Sequence, residues 1–283
     1  MEILMTTDRR YAGHLRVMLF SLAVNSGPTA IRVWLLSRDL TGADLCALEA
    51  DLAASGVRRL EIRLIRVPKA RMKHMPTSRR YPDAIYARLF AADYLPEEVE
   101  RVLYLDPDIV ILNPLTELWE TPMEGYVIAA ASHVHALGCF FNRLRLLAWT
   151  PGCYINSGVM LMDLKKMREE RGSERLTKYA RTHRFCLCLP DQDILSAVYG
   201  RRILLLDPRV YNMTERIWRA DRMRDPEQNL DRIRQRTAIL HYIGRNKPWK
   251  EVYLGELDLF YREMAARMAD AARNQAASRA EEG

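Results

Sequence analysis

The strongest constraint on this chain is an alternation of elements over its first 67 residues. Glu2 to Thr7 is a short apolar run that reads as a strand. Tyr11 to Asn25 then places Leu15, Met18, Leu19, Leu22 and Ala23 at helical spacing, and Gly27 with Pro28 stops it. Ile31 to Leu36 reads as a second strand. Thr41 and Asp44 resemble a capping box opening a helix that runs towards Ser55, with Gly56 as its stop. Leu60, Ile62 and Leu64 alternate as a third strand. A β-α-β-α-β order of this kind calls for a mainly parallel, doubly wound α/β sheet with flanking helices.

The rest of the chain is consistent with one such unit. A loop is expected over Pro68 to Pro82, a helix from Ala84 to Tyr94, and a buried strand from Arg101 to Leu105. Tyr126–Ala131, Ile155–Leu164, Ile203–Leu206 and Thr237–Tyr242 read as further strands. Lys165–His183 and Asp191–Tyr199 read as helices. From Gly255 an amphipathic helix fades into an Ala/Arg/Glu tail, expected to fray from about Ala276. No repeat and no linker divides the chain, so residues 1–265 are taken as one domain and 266–283 as a tail.

Composition removes several classes. At 49% hydrophobic the chain is not disordered, and 283 residues can bury a large core without staples. The cysteines Cys46, Cys139, Cys153, Cys186 and Cys188 are odd in number and irregular in spacing, so a reducing cytoplasm fits better than a disulfide framework. Asp8, Arg9 and Arg10 interrupt the first apolar run too early for a signal segment. No window approaches the roughly 20 apolar residues of a membrane span. The net charge of +7 is scattered. It suits nucleic acid, anionic lipid, a phosphorylated small molecule, or merely a solvated surface.

The fold class invites a dinucleotide, yet the first strand-to-helix turn, Thr6 to Tyr11, carries no G-x-G-x-x-G, and no P-loop occurs anywhere. A bound nucleotide would therefore need a metal and cationic side chains. Asp106-Pro107-Asp108 offers the metal site. Two carboxylates two residues apart follow the buried run Val102-Leu103-Tyr104-Leu105, at the strand end where open α/β sheets place ligands. Oxygen donors suit Mn2+ or Mg2+ bridging two phosphates. On its own the pair could equally be a solvated loop. His241, near the end of an apolar strand, is either a core histidine or a third, softer ligand favouring Mn2+; Lys247 would then meet a phosphate as a point charge. Asp191-Gln192-Asp193 either serves helix-start electrostatics or binds sugar hydroxyls. Arg88 and Asn156-Ser157-Gly158 each admit a bland reading and a ligand-binding one. His133 and His135 lack partners for a zinc site, and Cys186-x-Cys188 lacks the redox spacing. Tyr11 either packs or stacks on a base.

Taken in order, Tyr86-Ala87-Arg88-Leu89, Val102 to Asp108, Asn156-Ser157-Gly158-Val159, Asp191-Gln192-Asp193, and His241-Tyr242-Ile243-Gly244 with Lys247-Pro248-Trp249 resemble the retaining glycosyltransferases of family 8, nearest the bacterial lipopolysaccharide galactosyl- and glucosyltransferases. The resemblance spans Met1 to about Tyr261. It implies a GT-A fold and a retaining transfer of galactose or glucose from a UDP-sugar to a saccharide or glycolipid, with Mn2+ as cofactor and Mg2+ as the alternative. It implies Asp106, Asp108 and His241 as metal ligands, and Asp8 and Tyr11 with the backbone of Thr6 or Thr7 at the uracil. Arg88, Asn156 and Asp191 would meet the donor sugar, Lys247 and Gly244 the diphosphate, and Gln192 would lie beneath the anomeric carbon.

Three positions depart from the pattern: Arg10 stands where an Asn commonly helps hold uridine, His133 where an Asp often lies near the acceptor, and Pro107 replaces the small or Thr residue usual between the two carboxylates, with no expected effect on coordination. The acceptor pocket is expected from loops such as Pro68–Pro82 and His133–Thr150. The tail lacks a long basic and aromatic extension, so any membrane contact is expected to be weak and electrostatic, at the inner face of the membrane. Two other readings stand beside the enzyme: a non-catalytic sugar-nucleotide-binding protein of the same fold, and, last, a nucleic-acid-binding protein, which lacks any recognisable module.

Overall fold

A computed structural model describes residues 1–27, 29–72, 75–76, 83–147, 152–225 and 227–281. Its centre is a seven-stranded sheet of order β3-β2-β1-β4-β7-β6-β8. The strands are β1 (Glu2–Thr6), β2 (Ile31–Ser37), β3 (Leu60–Arg66), β4 (Arg101–Leu105), β6 (Ile128–Ala131), β7 (Val159–Asp163) and β8 (Ile203–Leu206). Only β7 runs against its neighbours, pairing antiparallel with both β4 and β6. The expected mainly parallel, doubly wound α/β sheet is therefore the one observed. A two-stranded sheet, β5 (Ile109–Ile111) with β9 (Ile239–His241), stands beside it.

Both faces of the main sheet are covered at its centre, which explains why β1, β4 and β7 read as continuous apolar runs while edge strand β3 alternates. Along β4, Val102 and Tyr104 enter one core cluster while Leu103 and Leu105 enter the other, the two-residue period of a strand. Thr41 and Asp44 form the expected capping box on the helix Gly42–Ala54, and Gly56 closes it at φ +83°.

The order 3-2-1-4 puts the topological switch between β1 and β4. Their carboxyl ends open the crevice where sheets of this kind hold ligands.

Several expected elements differ. Ala84–Tyr94 is a 3-10 stretch, Asp83–Phe90, followed by one helical turn, Ala91–Tyr94. The strands expected at Tyr126–Ala131, Ile155–Leu164 and Thr237–Tyr242 shorten to β6, β7 and β9. The helix expected over Lys165–His183 breaks into Leu164–Glu169 and Gly172–Thr182, with Arg171 left-handed at φ 50°. The break lets the chain press Gly172 against Tyr199: an added Cβ would stand 2.4 Å from the Tyr199 hydroxyl.

Of the expected Pro68–Pro82 loop, the described residues include a helical turn, Lys69–Met72, and 73–74 and 77–82 lie outside them. The expected loop His133–Thr150 is largely a helix, Ala136–Arg145. The C-terminal helix, Asp258–Glu281, runs unbroken through 265–266 and past Ala276. Its Ala, Arg and Glu are strong helix formers, and Gln275 reaches the Gly56 turn. Among the described residues no helix is long and apolar enough to cross a membrane.

Candidate active site

Asp106 leaves β4 directly, its amide donating to the Gly158 carbonyl across the β4–β7 pair at 2.8 Å. Asp108 follows after Pro107, and β5 begins at the next residue. The small sheet then brings in the distant imidazole. Ile109 pairs with His241, and the Tyr242 amide donates to the Asp108 carbonyl at 3.0 Å. The outcome is a cluster in which one ligand atom each from Asp106, Asp108 and His241 lie within 4.8 Å of one another. His241 Nε2 stands 3.3 Å from Asp108 Oδ1 and 3.6 Å from Asp106 Oδ2. Two carboxylates and one imidazole are the donor set a divalent cation of intermediate hardness selects, so the residues present fit such an ion.

The tautomer of His241 follows from a chain of hydrogen bonds starting at the backbone. The Gly158 amide donates to Asn156 Oδ1 at 3.1 Å, so that oxygen is an acceptor. Asn212 Nδ2 donates to the same oxygen at 3.0 Å, which turns Asn212 Oδ1 towards His241 Nδ1, 2.9 Å away. Nδ1 therefore carries a proton, and Nε2 is the nitrogen that faces the carboxylate pair. Partners of this kind orient metal-binding histidines and raise their basicity. Asn212, fully buried, escaped the sequence reading: nothing in Val210-Tyr211-Asn212-Met213 marks it.

Cations balance the acids. Burial alone would raise the Asp108 carboxyl, but His241 and Lys247 outweigh it and hold it well below the usual carboxylate range. The Lys247 ammonium bonds Asp108 Oδ2 and, at 2.6 Å, the Tyr242 carbonyl. Arg88 Nη2 pairs with Asp106 Oδ1 at 3.0 Å and Nη1 with Asp191 Oδ2 at 3.2 Å, while its guanidinium lies 4.6 Å from the centre of the Tyr104 ring. Burial lowers the Arg88 affinity for its proton, but Asp106, Tyr104 and Asp191 more than restore it, so the charge is permanent. Its Nε is buried with no partner, a donor open to a ligand. Tyr104 links two corners, donating to Asp106 Oδ1 at 2.6 Å and standing 2.8 Å from Thr6 Oγ1. Asp106, Asp108 and Asp191 thus stand against Lys247 and the permanently charged Arg88, and a dication would add positive charge among the carboxylates.

Thr6, Thr7, Asp8, Tyr11, Arg88, Asp106 and Asp108 line one cavity of about 330 Å3 at the β1/β4 switch. Asp8 caps the turn Arg9–Tyr11, accepting from the Arg10 and Tyr11 amides, and its carboxylate pairs at 2.7 Å with exposed Arg10. Tyr11 packs edge-on against Trp249, 5.8 Å between ring centres, and also lines the cavity. The remaining expected residues stand outside its walls: Asn156, Asp191, Gln192, His241, Gly244 and Lys247. Ser157 Oγ donates to Asp191 at 2.7 Å, and Gln192 Nε2 donates to the Tyr154 hydroxyl at 2.9 Å. Gly244 sits at φ +75° on the exposed turn after His241. His133 is a neutral neighbour: burial, then the His241 imidazole, push it down to about 4.

Asp193, the third member of Asp191-Gln192-Asp193, faces elsewhere. Fully buried, it takes two bonds from Arg145, at 2.7 and 3.0 Å, one from Tyr154 at 2.7 Å, and the amides of Cys188 and Leu189. It anchors the start of the helix Pro190–Tyr199. Asp193→Asn should lower stability by about 3–5 kcal/mol, as expected when one partner of a buried ion pair is removed. Chemical denaturation checks this, and a loss within experimental error would refute the anchoring role.

Residues 2–252 match the model of glycosyl transferase family 8. The chain belongs to glycosyltransferase family 8. It is 26% identical to general stress protein A of Bacillus subtilis over 264 residues, covering 88% of this chain and 87% of that protein. It is 28% identical to the lipopolysaccharide 1,2-glucosyltransferase of Escherichia coli over 247 residues, covering 86% and 70%. The crystal structure of the galactosyltransferase LgtC, in complex with donor and acceptor sugar analogs, matches with a TM-score of 0.78 at 26% identity, covering 94% of this chain and 95% of that one. The family 8 resemblance and the GT-A fold expected from the motifs are therefore both found.

Proposed function

We propose that this family 8 enzyme moves glucose or galactose from a UDP-sugar to a saccharide or glycolipid acceptor of lipopolysaccharide type, with retention of anomeric configuration and dependence on Mn2+. The observation that carries the reading is the convergence of Asp106, Asp108 and His241 at the rim of the β1/β4 cavity. Likeness to the Escherichia coli glucosyltransferase and to LgtC supports the acceptor class and leaves both hexoses in play.

In this reading Asp106, Asp108 and His241 hold the cation, which when bound supplies positive charge beside the diphosphate. Thr6, Thr7, Asp8 and Tyr11 hold the uracil. Lys247 leaves Asp108 for the diphosphate and stabilises it as charge develops on the leaving UDP, with the Gly244 backbone assisting. Arg88, Asn156 and Asp191 orient the hexose. Gln192, its amide nitrogen committed to Tyr154, keeps its carbonyl oxygen for the oxocarbenium-like carbon. A glutamine is a poor nucleophile. The acceptor hydroxyl therefore attacks from the face that UDP leaves, and the diphosphate takes its proton.

With the Asp106 and Asp108 carboxylates clustered at the cavity that would take the diphosphate, nucleotide binding is conditional on the cation. Calorimetry should show UDP binding at least ~10-fold weaker after chelation, a loss of about 1.4 kcal/mol or more. With Mn2+, UDP-glucose or UDP-galactose should be hydrolysed slowly without acceptor. Metal-dependent binding without any UDP release would favour the non-catalytic alternative, and neither result would reject both.

A further inference from the structure

One face of the fold carries apolar surface that no described residue covers. The helix Ala136–Arg145 turns Leu137, Phe140, Phe141 and Leu144 outward, with 67, 56, 58 and 59% of their surfaces exposed. Their spacing of i, i+3, i+4 and i+7 draws one stripe along the helix. Beside it stands Phe185, 88% exposed, with the Arg184 guanidinium 4.6 Å from its ring centre. The two pieces are tied together: Arg145 donates to the Cys186 carbonyl, and the Tyr179 hydroxyl donates to the Leu146 carbonyl at 2.5 Å. An exposed apolar stripe of this kind marks an interaction site rather than ordinary surface.

Charge decides what covers it. No Asp or Glu occurs between Glu124 and Asp163, nor between Glu174 and Asp191. The second of these stretches exposes Lys178, Arg181 and Arg184. A second copy of this chain would bring like charges together, whereas an anionic lipid surface accepts both features at once. Apolar side chains enter the acyl boundary while cations meet the headgroups.

We propose that the Ala136–Arg145 helix and the Arg184–Phe185 tip form a docking face for an anionic phospholipid bilayer. Contact is then apolar as well as electrostatic, stronger than the scattered charge of the sequence implies. Arg145 also ties the helix end to Asp193, next to Gln192, so a docked protein holds its sugar site close to lipid-borne acceptors. Docking itself does not depend on the transfer reading, and its test reads lipid binding alone.

The test is cosedimentation of the full chain with vesicles of phosphatidylethanolamine and phosphatidylglycerol, against vesicles of phosphatidylcholine, at low and high salt. The native chain should bind the anionic vesicles and not the neutral ones. Phe140→Ser with Phe141→Ser should weaken partitioning at least ~10-fold, as expected when apolar area that enters the interface is removed. Lys178→Glu with Arg184→Glu should abolish the preference for anionic lipid. Met223→Ser, at a still more exposed apolar residue of another helix, should change nothing. Unchanged thermal unfolding shows that the variants fold. The proposal is overturned if the native chain ignores anionic vesicles, if the Phe140/Phe141 variant binds as well as the native chain, or if sedimentation velocity shows a dimer that this variant dissolves while vesicles are ignored.

Discussion

Asp108→Asn should cost about 10³-fold or more in transfer, the scale of losing a charge aimed at a leaving group. The substitution keeps the shape and removes the charge on which two groups converge. Asp108 Oδ1 lies 3.3 Å from His241 Nε2, while Oδ2 takes the Lys247 ammonium. Because those two neighbours hold its carboxyl well below the usual range, Asp108 is ionised at every pH at which the protein would work. Loss of the charge weakens the cation site and leaves Lys247, itself buried, without its counterion. Stability should therefore fall by about 3–5 kcal/mol as well. The two losses separate experimentally. Mn2+ should raise the unfolding midpoint of the native chain and barely move that of the variant, measured without any substrate. A variant with the native response to Mn2+ would remove Asp108 from the metal site and with it the transfer mechanism.

The placing of Asp106 and Asp108 together was legible in the sequence because the pair obeys local rules. A D-x-D after a buried strand points both carboxylates one way, and the alternation up to residue 67 locates the sheet edge where they open. His241 was legible only as one of two alternatives. Its approach depends on β5 pairing with β9, a contact across more than a hundred residues that no local pattern encodes. Asn212 was invisible for the same reason. It matters through a hydrogen-bond chain linking three separated segments, and its neighbours give no signal. Asp193 was legible as a charge beside Gln192 but not as an anchor, since only packing brings Arg145 and Tyr154 to it. The broken helix at Arg171 and the helix in place of the His133–Thr150 loop share another cause. In each, tertiary contacts, Gly172 on Tyr199 and Arg145 on Asp193, override weak local preference.

Gly158 shows how tightly that long-range geometry is drawn. An added Cβ would stand 2.1 Å from His241 Cε1 and 2.7 Å from Asp106 Oδ2, distances that no methyl group tolerates. Neither neighbour can yield cheaply. The His241 ring is held through Nδ1 by Asn212, and Asp106 is held at Oδ1 by Tyr104 and Arg88. The Gly158 backbone is fixed too, its carbonyl taking the Asp106 amide and its amide bonding Asn156. Displacement must therefore appear within the ligand set. Gly158→Ala should weaken Mn2+ binding by about 10–100-fold, the scale seen when the orientation of metal ligands is disturbed. Transfer should fall at least as far, because both the carboxylate and the imidazole move. The overall fold should survive with a loss of about 1–3 kcal/mol, the usual cost of overpacking one site. Calorimetric Mn2+ titration beside chemical denaturation distinguishes this outcome from general unfolding. A variant that binds Mn2+ within twofold of the native chain would mean that Asp106 and His241 do not meet across Gly158, and the single-cation site would have to be given up.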